Sequence, residues 1–117
     1  MQLNEMTFSD ATPIDGYGPG FFRIGGQVID GTALITATGA GPWGGYDDMA
    51  PLLALAGEVD VLFVGTGAEI AHVPGPFRDA LEAAGLGVES MGSAAACRTF
   101  NVLLGEGRRV AAALFAI

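Results

Sequence analysis

Val59-Asp60-Val61-Leu62-Phe63-Val64-Gly65-Thr66-Gly67 is a stiff run, apolar apart from Asp60 until it reaches its glycines. β-Branched residues favour extended backbone. A run without apolar–polar alternation fits a strand covered on both faces, as in the interior of an α/β sheet. Val59–Val64 is therefore read as the middle strand of a sheet, and Gly65-Thr66-Gly67 as the tight turn at its end.

The chain beyond that turn alternates. Pro76–Ala84 predicts a helix, with proline at its start, Phe77, Ala80, Leu81 and Ala84 on one face, and Gly85 as its stop. Gly87–Met91 reads as a short strand. Ser93 is placed to cap a further helix whose apolar surface comes from Ala96, Phe100, Val102, Leu103 and Leu104, ended by Gly105 and Gly107. Arg109–Ile117 is an apolar closing strand, expected inside the sheet. Such alternation implies right-handed crossovers.

Before the central run, Met49–Ala56 predicts a short helix with Asp48 as cap and Pro51 in its first turn. Gly39–Asp48 reads as a loop. Asp30-Gly31, between Val28-Ile29 and Ala33–Thr36, has the chemistry of a two-residue hairpin turn. Phe21–Ile29 is a strand bent or broken at Gly25-Gly26, Pro13–Gly20 is rich in breakers, and Leu3–Phe8 is a first strand. The expected fold is α/β: a three-layer single domain over residues 1–117, with a central mixed sheet, an N-terminal β-hairpin and helices packed on the sheet.

Composition narrows the function. Half of the 117 residues are apolar, ample for a core. The net charge is −8, with no lysine and five arginines, so nucleic acid and anionic membrane surfaces are poor partners. No window approaches the roughly 20 apolar residues that cross a bilayer, and the first residues lack a secretory pattern. The expectation is a cytoplasmic protein without direct membrane insertion. Cys97, the single cysteine, lies in a small apolar run and reads as a buried helix residue. It excludes an internal disulfide and a multi-cysteine zinc site.

No catalytic set is legible. Gly65-Thr66-Gly67 after a buried strand allows close approach of backbone to a phosphate, and Glu89 stands near the end of the next strand, where a dinucleotide fold keeps its ribose-binding acid. Against this, Ile70 occupies the third glycine position and the helix begins only near Pro76. His72 is the only imidazole and has no neighbouring catalytic partner. Asp47-Asp48 reads as a solvated helix start, and no metal site is expected. Ser93 lacks nucleophile-elbow spacing. Arg78 and Arg98 both lie near helix starts. With Gly65, Thr66 and Gly67 they would border one cleft suited to a carboxylate or an acidic group of a protein partner; the alternative is salt bridges to Glu82, Glu89 or Glu106. Trp43 and Tyr46 either lid the core or offer a partner surface.

The second half carries a resemblance. Val61–Gly67, Pro74–Leu81 with Gly85, Val88–Met91, Ala96-Cys97-Arg98-Thr99-Phe100-Asn101-Val102-Leu103 and Glu106–Leu114 resemble a widespread domain of unknown function. That family includes the adipogenesis-associated domain protein and a mitochondrial assembly factor of respiratory complex I. The Arg-Thr-aromatic-Asn-Val-Leu run is its most specific part. The resemblance implies a compact three-layer α/β domain with no cofactor and no established enzyme activity. It implies a protein-interaction module that assists assembly of a membrane or respiratory complex, the partner being a component of that complex. The rival expectation is a small anionic-ligand or nucleotide-binding domain, enzymatic or not, whose cleft takes in Gly65, Thr66, Gly67, Arg78, Arg98 and Asn101. Homo-oligomerisation stays open.

Overall fold

The computed structural model describes residues 11–117; the strand read at Leu3–Phe8 lies outside them. The chain first forms an antiparallel meander of β1 (Ile14–Gly18), β2 (Phe21–Ile24) and β3 (Gln27–Asp30). Phe21–Ile29 is thus broken, not bent. The two residues between β2 and β3 are Gly25 and Gly26, both at positive φ (58° and 81°), as a tight hairpin of this hand requires.

Asp30-Gly31 is not the hairpin that its chemistry suggested. The next strand, β4 (Ala33–Thr36), does not pair with β3. It pairs with β5 (Gly39–Pro42) and with the last strand of the chain. Gly31, at φ 79°, instead donates its N–H to the Gly20 carbonyl at 2.8 Å, and the chain passes there from one sheet to another. A glycine turn permits a change of direction; the pairing is set by which edge buries Ile29, Ala33 and Ile35, all of which face one core. The segment read as a loop at Gly39–Asp48 likewise begins as the strand β5.

The remaining elements are α1 (Ala50–Leu53), β6 (Val61–Gly65), α2 (Gly75–Ala83), β7 (Gly87–Met91), α3 (Ser93–Gly105) and β8 (Val110–Leu114). They complete a five-stranded mixed sheet in the order β5-β4-β8-β6-β7. β6 is interior, parallel to β7 on one side and β8 on the other. The middle position belongs to β8, whose Val110-Ala111-Ala112-Ala113-Leu114 is buried throughout. Pro51 lies in the first turn of α1, but Asp48 does not cap it: the N-cap is Met49, and Asp48 Oδ2 accepts the Gly44 N–H at 2.9 Å.

Alternate residues of β6 and β8 feed two separate cores. Phe63, Val110, Ala112 and Leu114 face α3 and the small sheet, meeting Phe100, Ala96, Phe22 and Ile24. Leu62, Val64, Ala111 and Ala113 face α2 and the α1 region, meeting Phe77, Leu81, Leu52 and Trp43. The helices therefore cover opposite faces, giving the three layers. Val102, expected to contribute to the buried surface of its helix, instead points outward at 60% exposure. No helix among the described residues is long and apolar enough to cross a membrane.

α3 enters so close to the end of β6 that only glycine fits at position 65. A methyl group there would lie 2.7 Å from Leu114 Cδ2 and Ser93 Oγ, and 2.8 Å from Ser93 Cα. Gly65→Ala is expected to destabilise the fold by about 3 kcal/mol, the upper part of the overpacking range, measured by chemical denaturation.

Candidate functional site

In α/β sheets, ligands commonly sit beyond the carboxyl ends of parallel strands. Here β6, β7 and β8 end together, and the space above them is occupied by the protein's own bonds. Ser93 is the first residue of α3; its N-cap is Gly92. Its hydroxyl is fully buried and does not cap the helix. It donates to the Phe115 carbonyl at 2.6 Å and accepts the Gly67 N–H at 2.9 Å. The Ser93 N–H donates to the Gly67 carbonyl at 2.8 Å, and the Phe115 N–H to Gly65 at 2.8 Å. One residue thus joins the exits of β6 and β8 to the start of α3.

Thr66 closes the same end from the other side. Its N–H donates to the Met91 carbonyl at 2.8 Å, tying β6 to the exit of β7. Its hydroxyl donates to the Glu69 backbone carbonyl at 2.7 Å and accepts the Ala71 N–H at 3.0 Å, folding the following loop back on itself. Gly67 is at φ 98°, a conformation that favours glycine. The Thr66 and Gly67 N–H groups that a phosphate would need are therefore already bonded within the chain.

The other residues of the expected cleft do not converge on it. Arg78, on α2, donates from Nη1 to the Val88 carbonyl at 2.8 Å and lies 3.6 Å from Glu82. Arg98 is exposed on α3, on the opposite face of the sheet, beside Thr99, Val102 and Leu103. Asn101 clasps the small sheet: its Oδ1 accepts the Ile14 N–H at 2.8 Å and its Nδ2 donates to the Ile14 carbonyl at 2.9 Å. A side-chain amide thus acts as a one-residue strand partner for β1.

Trp43 and Tyr46 form an aromatic cluster with Phe77 and Phe115. Ring centroids lie 4.8–6.2 Å apart, in edge-on and tilted arrangements. Such packing adds to simple burial. Trp43 is only 4% exposed, and its Nε1 donates to the Asp48 carbonyl at 2.9 Å. It sits in the core, while Tyr46 stays half-buried, its phenol pKa raised by loss of solvent. Cys97 is buried as its sequence setting suggested, and burial pushes its thiol up to about 11. Among the described residues no three His, Cys, Asp or Glu side chains gather to hold a metal.

A polar feature not singled out from the sequence lies at the opposite end of the sheet. Arg109 donates to Asp60 through Nη2 at 2.6 Å and Nε at 3.1 Å, and through Nη1 to the Gly57 carbonyl at 3.1 Å. The guanidinium lowers the Asp60 pKa. A groove of about 290 Å³ opens beside it, bordered by Thr36, Leu55, Glu58 and Arg108. The signal was present: Asp60 and Arg109 immediately precede Val61 and Val110, which pair in the parallel ladder.

A family model described as a protein of unknown function (DUF498/DUF598) matches residues 14–115. An uncharacterised protein of Rhodobacter capsulatus is 57% identical over 97% of this chain and 92% of its own length. NADH dehydrogenase [ubiquinone] 1 alpha subcomplex assembly factor 3 of Danio rerio is 31% identical over 91% of this chain. The matched region spans 65% of that assembly factor. Among solved structures, an outer membrane protein from Bartonella henselae is 37% identical with a TM-score of 0.82, covering 91% of this chain and 95% of that one. A Mth938-like domain of Bordetella pertussis is 25% identical with a TM-score of 0.77, covering 99% and 92%.

Two predictions test these roles. Ser93→Ala leaves the Gly67 N–H and the Phe115 carbonyl without their partner, and Asn101→Leu does the same to both backbone groups of Ile14; each is expected to cost about 1–3 kcal/mol in denaturant melts. A residue held for ligand binding would instead leave stability unchanged or raise it. Cys97 is expected to resist maleimide at pH 8 in the folded protein and react on unfolding. Its folded pKa is raised, so the thiol's contribution to stability is present below the ordinary value of 9.0 and is lost as pH climbs toward about 11. Comparing melts of the wild type and Cys97→Ala across that window isolates this loss.

Proposed function

The chain belongs to the DUF498/DUF598 family, and from that membership we propose that it is a protein-interaction module that assists assembly of a respiratory membrane complex. One observation carries most of the weight: the polar groups at the strand ends, where an α/β domain would hold a small ligand, are bonded to one another. Function then falls to the outer surface. That surface displays isolated apolar side chains, with Ile70 at 70% and Val102 at 60% exposure.

The likeness to assembly factors supplies the kind of partner, a protein component of a complex related to NADH dehydrogenase. It extends over nearly all of this chain, so the domain itself is the part held in common. The acidic surface, net −8, favours basic protein segments over nucleic acid. We place its action on the cytoplasmic side of the membrane; no helix among the described residues is long and apolar enough to cross it.

Deleting the gene in a bacterium that carries it is expected to lower the amount of fully assembled NADH dehydrogenase on native gels while its subunits are still made. Re-expression of this chain restores it. Unchanged assembly in the deletion strain would overturn the reading.

A further inference from the structure

The free edge of β7 differs from those of β5 and β1. Hydrogen-bond direction alternates along a parallel strand, so each residue offers both backbone groups to one side. The Gly87 N–H donates to Asp60 and the Met91 carbonyl accepts from Thr66, both at 2.8 Å. Residues 87, 89 and 91 therefore face β6, and Val88 and Ser90 face outward. Arg78 covers the Val88 carbonyl. Among the described residues, the Ser90 N–H and carbonyl and the N–H of Val88, itself only 4% exposed, have no hydrogen-bond partner.

Two other edges are closed in part. On β5 the Trp43 N–H donates inward to Thr32 at 2.9 Å, so Ala40 and Pro42 face outward, and proline has no N–H to offer. On β1, Asn101 holds both backbone groups of Ile14. Beside β7, a recess of about 310 Å³ is formed by Ile70, Ala71, His72 and Ser90, with Ile70 its most exposed large apolar side chain.

We propose that the β7 edge accepts an extended segment of a partner protein as a sixth strand, with basic side chains on the Glu89 side and apolar side chains on the Ile70 side. This rests on the interaction reading above. Strand addition takes its affinity from main-chain bonds and its selectivity from alternate side chains. Glu89 is exposed on the α3 face of this edge, and Glu69 and Glu82 are exposed on the Ile70 side; of the nearby cations, Arg78 is already bonded and Arg98 is exposed on α3. A basic occupant complements that charge. A second copy of this chain does not: the twofold register that pairs both outward residues, Val88 with Ser90 of the other copy, sets Glu89 directly against its own image, and like charges opposite one another are unfavourable.

The test uses the full chain, labelled for amide NMR, titrated with a capped heptapeptide of alternating lysine and valine. The expected result is movement of the Val88 and Ser90 amide signals and about tenfold slower exchange of both. The glutamate–valine counterpart has no such effect. Ser90→Pro removes an outward N–H and no ladder bond, and Glu89→Lys reverses the charge beside it. Each should weaken peptide binding by about tenfold or more while the rest of the spectrum is preserved. The proposal is overturned if the lysine peptide moves no β7 signal, if the glutamate peptide binds as well, or if Glu89→Lys binds unchanged. Protection of both amides in the protein alone, with a dimer in sedimentation, overturns it too. A Ser90→Pro strain that assembles the complex like wild type removes this site and leaves the interaction reading standing; a deletion strain without an assembly defect removes the interaction reading itself.

Discussion

A buried hydroxyl must find hydrogen-bond partners or penalise the fold, and much of this structure follows from how Ser93 finds them. Its oxygen lies between the Gly67 N–H and the Phe115 carbonyl. That position requires α3 to begin directly against the end of β6, which in turn requires glycine at 65. The same contact fixes where β8 ends. With β8 in the middle of the large sheet, its exit determines how the aromatic cluster around Phe115 closes the opposite face.

The alanines of β8 are the counterpart of this close approach. Small side chains at 111, 112 and 113 let two layers pack on one strand, with Phe100 and Phe63 in one core and Phe77 and Trp43 in the other. The large side chains that fill the space around these alanines come from the covering layers and from β6, as dense packing demands. Asn101 adds a second clasp. It ties the small sheet to α3 through backbone groups of β1 that would otherwise lie open, so the three-stranded meander becomes part of the domain without joining the main ladder.

The architecture was largely legible. Continuous apolar runs marked β6 and β8, and the Pro-to-Gly punctuation of residues 76–85 marked α2, because these signals arise from local sterics and two-sided burial. Pairing was less legible. Asp30-Gly31 has hairpin chemistry yet serves a corner between sheets, since the choice of neighbour depends on distant Leu114 and Ala112. Arg78 and Arg98 seemed to converge because both follow strands into helices. Sequence does not state which face a crossover covers, and α2 and α3 cover opposite ones. Ser93, Gly65 and Asn101 carry most of the polar joining; Gly65 and Asn101 read as cleft residues and Ser93 as a helix cap, because small or polar side chains serve a ligand site, a cap and a close backbone junction alike.

The account stands on the strand ends being sealed by the protein itself, which makes the Gly67 amide the most direct witness. Under native conditions its hydrogen exchange should require the same opening free energy as core amides such as Ala112, since releasing it means pulling the start of α3, with Ser93, away from the end of β6. Exchange orders of magnitude faster than the core would contradict the account, showing an end of the sheet that opens freely and is available to a ligand.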